Sequence, residues 1–381
     1  MRYAFVALVA CAAPVVAQGT VGGQGFGYPA GQMSARSVGT GGALAPFDAM
    51  SPINPASLSG WLAELRQDLG QRSALFFQIE PEFRNTSVGG ASSSTRVSRY
   101  PLSGIATQIG SQLAAALTVS TYLDRTWETA ASGVDSVGGE EVAVTTRYAS
   151  SGAINDLRAG FAWSFNRTLQ VGFGYHVYTG ENRLGITWDF DDNESLGDVT
   201  QTSTLAYSGS AMSGGAVIRL GSRGAVTGYG RIGRAARMHI GDTLVADGEM
   251  PSHFGLAAHY DGLVGTVFAA GWERIEWTSM SGLGTTDLAV RDGDRLSLGV
   301  QTRGPTVGGT PMLVRAGFAR RTLPFDAAGG EVRETLITLG SGFRVPQQRG
   351  NIDIALQRAL RSSGAARERA WLVTIGLAIY P

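Results

Sequence analysis

Residues 157–178 read LRAGFAWSFNRTLQVGFGYHVY. Apolar side chains fall on the odd positions, as Leu157, Ala159, Phe161, Trp163 and Phe165, then as Leu169, Val171, Phe173, Tyr175 and Val177. The even positions carry Arg158, Gly160, Ala162 and Ser164, then Thr168, Gln170, Gly172, Gly174, His176 and Tyr178. A period of two makes each run a strand with one face in an apolar medium and the other against water or a polar filling. Asn166-Arg167 supplies a tight turn between them, so the pair reads as a β-hairpin. The same alternation returns in Met312, Val314, Ala316 and Phe318 against Leu313, Arg315, Gly317 and Ala319. It returns again in Trp371, Val373, Ile375, Leu377 and Ile379 against Leu372, Thr374, Gly376, Ala378 and Tyr380. A face this small and polar does not suit the packed interior of a sandwich.

Working outward, strands are predicted at Ala74–Thr86, Ser98–Ile109, Leu113–Thr129, Glu141–Phe165, Thr168–Phe190, Val199–Leu220, Ala225–Leu244 and Met250–Tyr260. Six more follow at Val264–Ser279, Asp287–Thr302, Thr310–Leu323, Glu331–Val345, Gly350–Leu360 and Arg369–Tyr380. An even number lets a barrel close with every neighbour antiparallel. The expected fold is therefore all-β, a 14-stranded antiparallel transmembrane β-barrel over residues 71–381. Its short links, such as Asn166-Arg167, Gly221 to Gly224, Asp261 to Leu263 and Pro346 to Arg349, should face the periplasm. The longer ones at Ala130–Glu140, Asp191–Asp198, Met280–Thr286 and Pro324–Gly330 should face outward. Trp127, Trp163, Trp188, Trp272, Trp277 and Trp371 are placed as an interfacial girdle.

Residues 1–17 carry an export signal: Arg2, an apolar run from Tyr3 to Ala13, and a small-residue cleavage site at Val15-Val16-Ala17. The rival reading, a lipidated Cys11 after Leu8-Val9-Ala10, leaves a very short apolar run. Cys11 is the only cysteine, so cleavage removes disulfides, thiolate metal sites and a cysteine nucleophile together. No later stretch reaches the roughly 18 apolar residues of a spanning helix, mean hydropathy is +0.02, and glycine numbers 54 of 381. The 31 basic residues, all arginine, are matched by 31 acidic ones. Nothing there attracts nucleic acid.

Residues 18–70 lack alternation and are rich in Gly, Pro and small side chains. They are expected to form an N-terminal hatch that plugs the lumen, with Leu58, Trp61, Leu62, Leu65 and Leu69 at helical spacing over Ser57–Leu69. Ser34 to Ser59, SARSVGTGGALAPFDAMSPINPASLS, resembles the hatch of FadL-type outer-membrane transporters of long-chain fatty acids and related hydrophobic compounds. Asn54-Pro55-Ala56 matches that family's motif position by position. Two further segments are also similar, Met250 to Leu256 with the strand ending Trp272 to Trp277, and Arg315 to Arg321 before Leu323-Pro324-Phe325. The resemblance covers nearly the whole mature chain and implies fourteen strands around a hatch-filled lumen. The chain departs from the usual barrel ending, since Tyr380 is followed by Pro381. Asn54 has a plainer reading as a turn former capping the next helix, a role Ser57 could also fill.

The resemblance implies passive inward transport of hydrophobic small molecules such as fatty acids, gated by the hatch. Such a channel needs an apolar groove and a cationic anchor for a carboxylate, and the alternation puts Arg158, His176 and Arg315 on the lumen face. Pairing of those arginines with lumen acids such as Glu334 is the plainer alternative. Phe26, Tyr28 and Phe47 are candidates for a pocket in the hatch. No catalytic residue, metal or cofactor is expected: of four histidines, His253 and His259 share a lumen face roughly 20 Å apart along the strand, and Ser103-Gly104 lacks a nucleophile-elbow context. The acidic run Asp189 to Glu194 lacks a calcium-loop pattern. The other expected partners are outer-membrane lipid, lipopolysaccharide and the barrel assembly machinery, with the chain a monomer. Two other functions fit a barrel, a scaffold for secreted proteins and a general porin.

Overall fold

A strand with one apolar and one polar face is satisfied only where its two faces meet different media, and closing the sheet removes the unpaired edges that a membrane would not tolerate. The computed structural model describes residues 26–59, 72–88, 91–137, 139–190, 197–283, 289–307, 310–327, 329–345, 350–364 and 366–381. Its barrel strands are β1 (Ser73–Val88), β2 (Ala91–Ile109), β3 (Leu113–Asp124, continued by Trp127–Val137), β4 (Glu140–Ser164), β5 (Leu169–Asp189), β6 (Val199–Arg219) and β7 (Gly224–Ile240). There follow β8 (Thr243–Glu249, continued by His253–Leu263), β9 (Thr266–Ile275), β10 (Gly293–Val307), β11 (Thr310–Ala327), β12 (Gly330–Arg344), β13 (Gly350–Ser363) and β14 (Ala366–Ile379). Neighbours pair antiparallel throughout, and β14 closes on β1 from Arg367↔Ser87 to Ile379↔Leu75. The fourteen-strand expectation holds.

The faces fall as the alternation demands. Leu117 and Leu256 are each 61% exposed on the outside, with Phe77, Phe161, Phe173, Phe254, Leu298 and Ile337 also exposed. Gln78, Glu82, Arg158, His176, Ser213, Arg315 and Thr374 are buried on the inside. That outer surface needs an apolar surrounding, as a bilayer-embedded barrel's does.

Three expectations change at the end away from the short turns. Ala130–Glu140 is not a loop: Trp127–Val137 ladders against Glu140–Ser150 to the tip. Likewise β11 runs on to Ala327, which pairs with Gly330. The first hairpin rises where both faces meet water, so backbone pairing persists there without apolar alternation, whereas the second keeps an inward face that buries Phe325, Ala327 and Val332. The ninth strand stops at Ile275, and Trp277–Leu283 forms a 3₁₀ helix that turns inward. Trp277, only 2% exposed, therefore belongs to the interior rather than to a girdle, while Trp163, Trp272 and Trp371 do lie on the outer face. The predicted signal (1–17) and all of the predicted helix beyond Ser59 lie outside the described residues; Ser57–Ser59 are helical.

One seam of the wall is incomplete. β2 pairs with β3 only from Leu102↔Ser120 to Ile109↔Leu113. Beyond that rung β2 continues against β1 alone, and β3 breaks at Arg125-Thr126 before running against β4. Inside this gap Tyr28–Pro29 pairs antiparallel with Asp124 and Leu123, and the Arg99–Asp124 ion pair, at 2.5 Å, spans it.

Candidate functional site in the barrel lumen

Residues 26–59 lie within the barrel and are almost wholly buried. They are folded by side-chain capping more than by an apolar core of their own. Ser34 caps the single-turn helix α1 (Ala35–Val38) by accepting from Ser37 N. The carboxylate of Asp48 accepts from the hydroxyls of Ser34, Ser37 (2.7 Å) and Ser51 (3.0 Å) and from Met50 N. A buried acid satisfied on all sides is what allows so polar a segment to leave water.

The wall accommodates this segment by lacking side chains where its backbone passes. A Cβ at Gly317 would lie 2.1 Å from the Thr40 carbonyl carbon, and one at Gly172 would lie 2.3 Å from Ala56 N. Such separations are far inside van der Waals contact, so glycine on the lumen face is a packing requirement there. Wall donors then bond the exposed inner carbonyls: Gln78 Nε2 to Met33 O (2.9 Å), Arg295 Nη2 to Gly41 O (2.8 Å) and Thr338 Oγ1 to Gly39 O (3.1 Å).

Asn54, Pro55 and Ala56 sit at the centre of this contact. Asn54 Nδ2 donates to Pro46 O (2.7 Å) and to Thr227 Oγ1 (3.0 Å), while its Oδ1 accepts from Ala56 N (3.1 Å). The turn-forming role and a direct bond to the wall therefore coexist in one side chain. Asn54→Ala should cost about 1–3 kcal/mol by orphaning the buried Pro46 carbonyl and cutting the tie to β7. Faster protease cleavage or amide exchange within 26–59, with the barrel ladder unchanged, would register it; unchanged exchange would refute it.

Tyr28 occupies a cage of guanidiniums. Arg361, Arg99, Arg321 and Arg84 lie 4.4, 5.0, 5.1 and 5.7 Å from its ring centre, with Glu82, Glu334 and Glu368 interleaved among them. Burial pushes the Tyr28 hydroxyl up from its ordinary value. It stays protonated and donates to Glu334 Oε1 (2.9 Å) while accepting from Arg321 Nη2 (2.7 Å). Beyond the cage, Phe26 packs edge-on against Trp277 at 6.1 Å, and Tyr122 and Tyr178 complete an aromatic cluster with Phe325 and Leu323.

Phe26 and Tyr28 thus share one cluster, and Phe47 is not in it. It lies toward the short turns, edge-on to His259 at 4.6 Å, beside a cavity of about 250 Å³ lined also by Arg36 and Arg219.

The three lumen candidates also separate. Arg315 is engaged, donating to Asp353 Oδ1 (2.6 Å) and Gln301 Oε1 (2.8 Å). Glu334 is engaged too, by Arg321 and Arg361 rather than by either predicted arginine. Arg158 and His176 are cross-strand partners on β4 and β5. None of Arg158's guanidinium nitrogens has a hydrogen-bond partner among the described residues, although the side chain is fully buried; Thr118 Oγ1, opposite on β3, has none either. A buried cation in that state is costly unless an anion or other acceptor reaches it. Asp156, two residues along, is already engaged: Gln32 Nε2 donates to it (2.7 Å), Arg231 lies 3.6 Å away, and His176 Nδ1 lies 2.9 Å from both its oxygens. His176 Nε2 in turn lies 2.8 Å from Ser213 Oγ on β6. The alternation places His176 inward but does not reveal Asp156 or Ser213 beside it, because that depends on strand register.

A closed fourteen-strand wall around an inner N-terminal segment defines a fold already seen in solved structures. The chain is similar to a FadL homologue of Pseudomonas aeruginosa (11% identity, 93% of this chain and 99% of that one, TM-score 0.61). It is likewise similar to the toluene transporters TbuX of Ralstonia pickettii (14% identity, 92% and 98%, TM-score 0.62) and TodX of P. putida (14% identity, 92% and 99%, TM-score 0.58). The likeness is one of fold. No family model and no curated protein sequence matches the chain.

Proposed function

We propose that this barrel lies in an outer membrane and passively admits hydrophobic small molecules, with residues 26–59 as the hatch that gates them. The observation that carries the reading is an aromatic cluster, Phe26, Tyr122, Tyr178 and Trp277, inside a wall whose seam is open at the same level and is lined there by Tyr28–Pro29. Apolar cargo has a place to partition at that depth. Deeper passage meets the ion cage around Tyr28, and an apolar molecule gains nothing by displacing hydrogen-bonded charges. The gap between β2 and β3 offers a lateral way out once the arm withdraws. The solved neighbours described as toluene transporters support the cargo class.

Arg158 extends the reading to acids, since its unpartnered guanidinium could take a carboxylate while Arg315 is already neutralised. A general porin fits poorly with a lumen occupied by a bonded segment. The outer belt would sit in lipid with lipopolysaccharide at the tall end, inserted as a monomer by the barrel assembly machinery. The test is uptake of labelled toluene and of a labelled long-chain fatty acid by Gram-negative cells lacking their own transporter. Uptake above the empty control is expected; none from a correctly inserted barrel would refute the reading.

A further inference from the structure

Anchoring of the inner segment accounts for Asp156, which Gln32 and Arg231 approach, but not for the groups beyond it. Ser213, His176 and Asp156 come from three adjacent strands and form a continuous chain: Ser213 Oγ to His176 Nε2 at 2.8 Å, then His176 Nδ1 to Asp156 at 2.9 Å. A carboxylate can only accept, so Nδ1 carries the imidazole proton and Nε2 presents its lone pair to the Ser213 hydroxyl. This is the arrangement of nucleophile, base and orienting acid that defines a hydrolytic triad by geometry rather than by sequence order. The unpartnered Arg158 lies next to it. A Cβ at Gly174 would fall 2.5 Å from Ser213 Oγ and 3.4 Å from Arg158 Cδ. Glycine there lets Ser213 Oγ and the stem of Arg158 approach the same point of the wall, while the guanidinium itself lies over Gly160, 3.4 Å from where a Cβ would be.

We propose that this cluster is a latent acyl-transfer site that hydrolyses carboxylic esters with an apolar acyl chain, exposed when the hatch moves. The proposal rests on the transport reading for that exposure and for delivery of an apolar substrate. Ser213 Oγ attacks the ester carbonyl carbon and passes its proton to His176 Nε2. The carbonyl π pair becomes an oxyanion facing Arg158, which supplies what an oxyanion hole supplies. Collapse breaks the bond to the alkoxy oxygen, which takes the proton from His176 and departs as the alcohol. Water then attacks the acyl-Ser213, gives a proton to His176, and releases the acid as Ser213 recovers its hydrogen. Asp156 holds the imidazole tautomer and touches no substrate.

The experiment exposes the full-length protein in detergent micelles to an alkyl fluorophosphonate and maps adducts by mass spectrometry. A single adduct on Ser213 is expected, absent in Ser213→Ala, and slowed about 100-fold in His176→Ala. Gln32→Ala, which frees the inner segment from Asp156 without touching the serine, should label severalfold faster. Turnover of p-nitrophenyl octanoate should fall in the same order. No adduct at Ser213 in either the wild type or Gln32→Ala overturns the proposal, as does turnover that Ser213→Ala retains. Toluene uptake by the wild-type barrel is read in parallel. Uptake without an adduct removes the hydrolytic site alone, and an adduct without uptake removes the transport reading alone.

Discussion

Joining the inner arm to β3 through Pro29→Cys and Leu123→Cys should bring uptake down to the empty-cell control under oxidising conditions, and a reductant should restore it. Pro29 and Leu123 are paired across an antiparallel ladder, where Cα atoms lie about 4.5–5.5 Å apart. That spacing is within the range a disulfide bridges without backbone movement. Cys11 is the only native cysteine, and placing the pair in a Cys11→Ala background leaves no other thiol to compete. The arm bonds to the wall at the point where β2 and β3 part, and it carries Phe26 into the aromatic cluster. If cargo must displace it, a covalent tie blocks both the pocket and the seam. Either cysteine alone should respond to neither oxidant nor reductant. A disulfide confirmed by mass with uptake undiminished would show that the arm does not move and that cargo takes another path.

The pattern of one residue in two was enough to read the wall, because every strand crosses a boundary between apolar and polar media and must display it. His253 and Gly255 inside with Phe254 and Leu256 outside follow that rule. It fails where the boundary ends. Above it, Ala130–Val137 pairs as strand while both faces meet water, and no alternation marks it. Trp277 misleads for the opposite reason: a tryptophan after an apolar strand suits an interface, but here the chain turns in and buries it against Phe26 and Tyr122. The break in β3 falls at Arg125-Thr126, which carries neither proline nor glycine to announce it. Within the lumen, sequence places Arg158, His176 and Arg315 on the correct face yet cannot say which has a partner. That depends on register across strands far apart in sequence, as Arg315 with Asp353 shows.

Replacing Glu334 by glutamine should destabilise the folded barrel by about 3–5 kcal/mol, the range for removing one member of a buried ion network. Glu334 is completely buried, 2.5 Å from Arg321 Nε and 2.6 Å from Arg361 Nε, and accepts from Tyr28 Oη. An amide of the same shape can accept from one arginine but turns an N–H toward the other, leaving two guanidiniums partly uncompensated. Arg361 keeps Glu82 and Glu368. Among the described residues Arg321 keeps as hydrogen-bond acceptors the Tyr28 hydroxyl and the Pro29 carbonyl, and no directly paired carboxylate, so the larger share of the loss falls on it and on the inner arm. Two consequences separate this account from a general weakening. Removing the stranded charge as well, in Glu334→Gln with Arg321→Met, should recover at least about half of the lost stability, because a buried pair replaced as a unit is often close to neutral. Amide exchange at Tyr28 should also accelerate in the single variant before any strand of the barrel opens. Urea unfolding in detergent measures the first and exchange the second. A loss below about 1 kcal/mol would mean that the cage is wet enough to screen its charges, and then Tyr28 could not be what holds the arm against the seam.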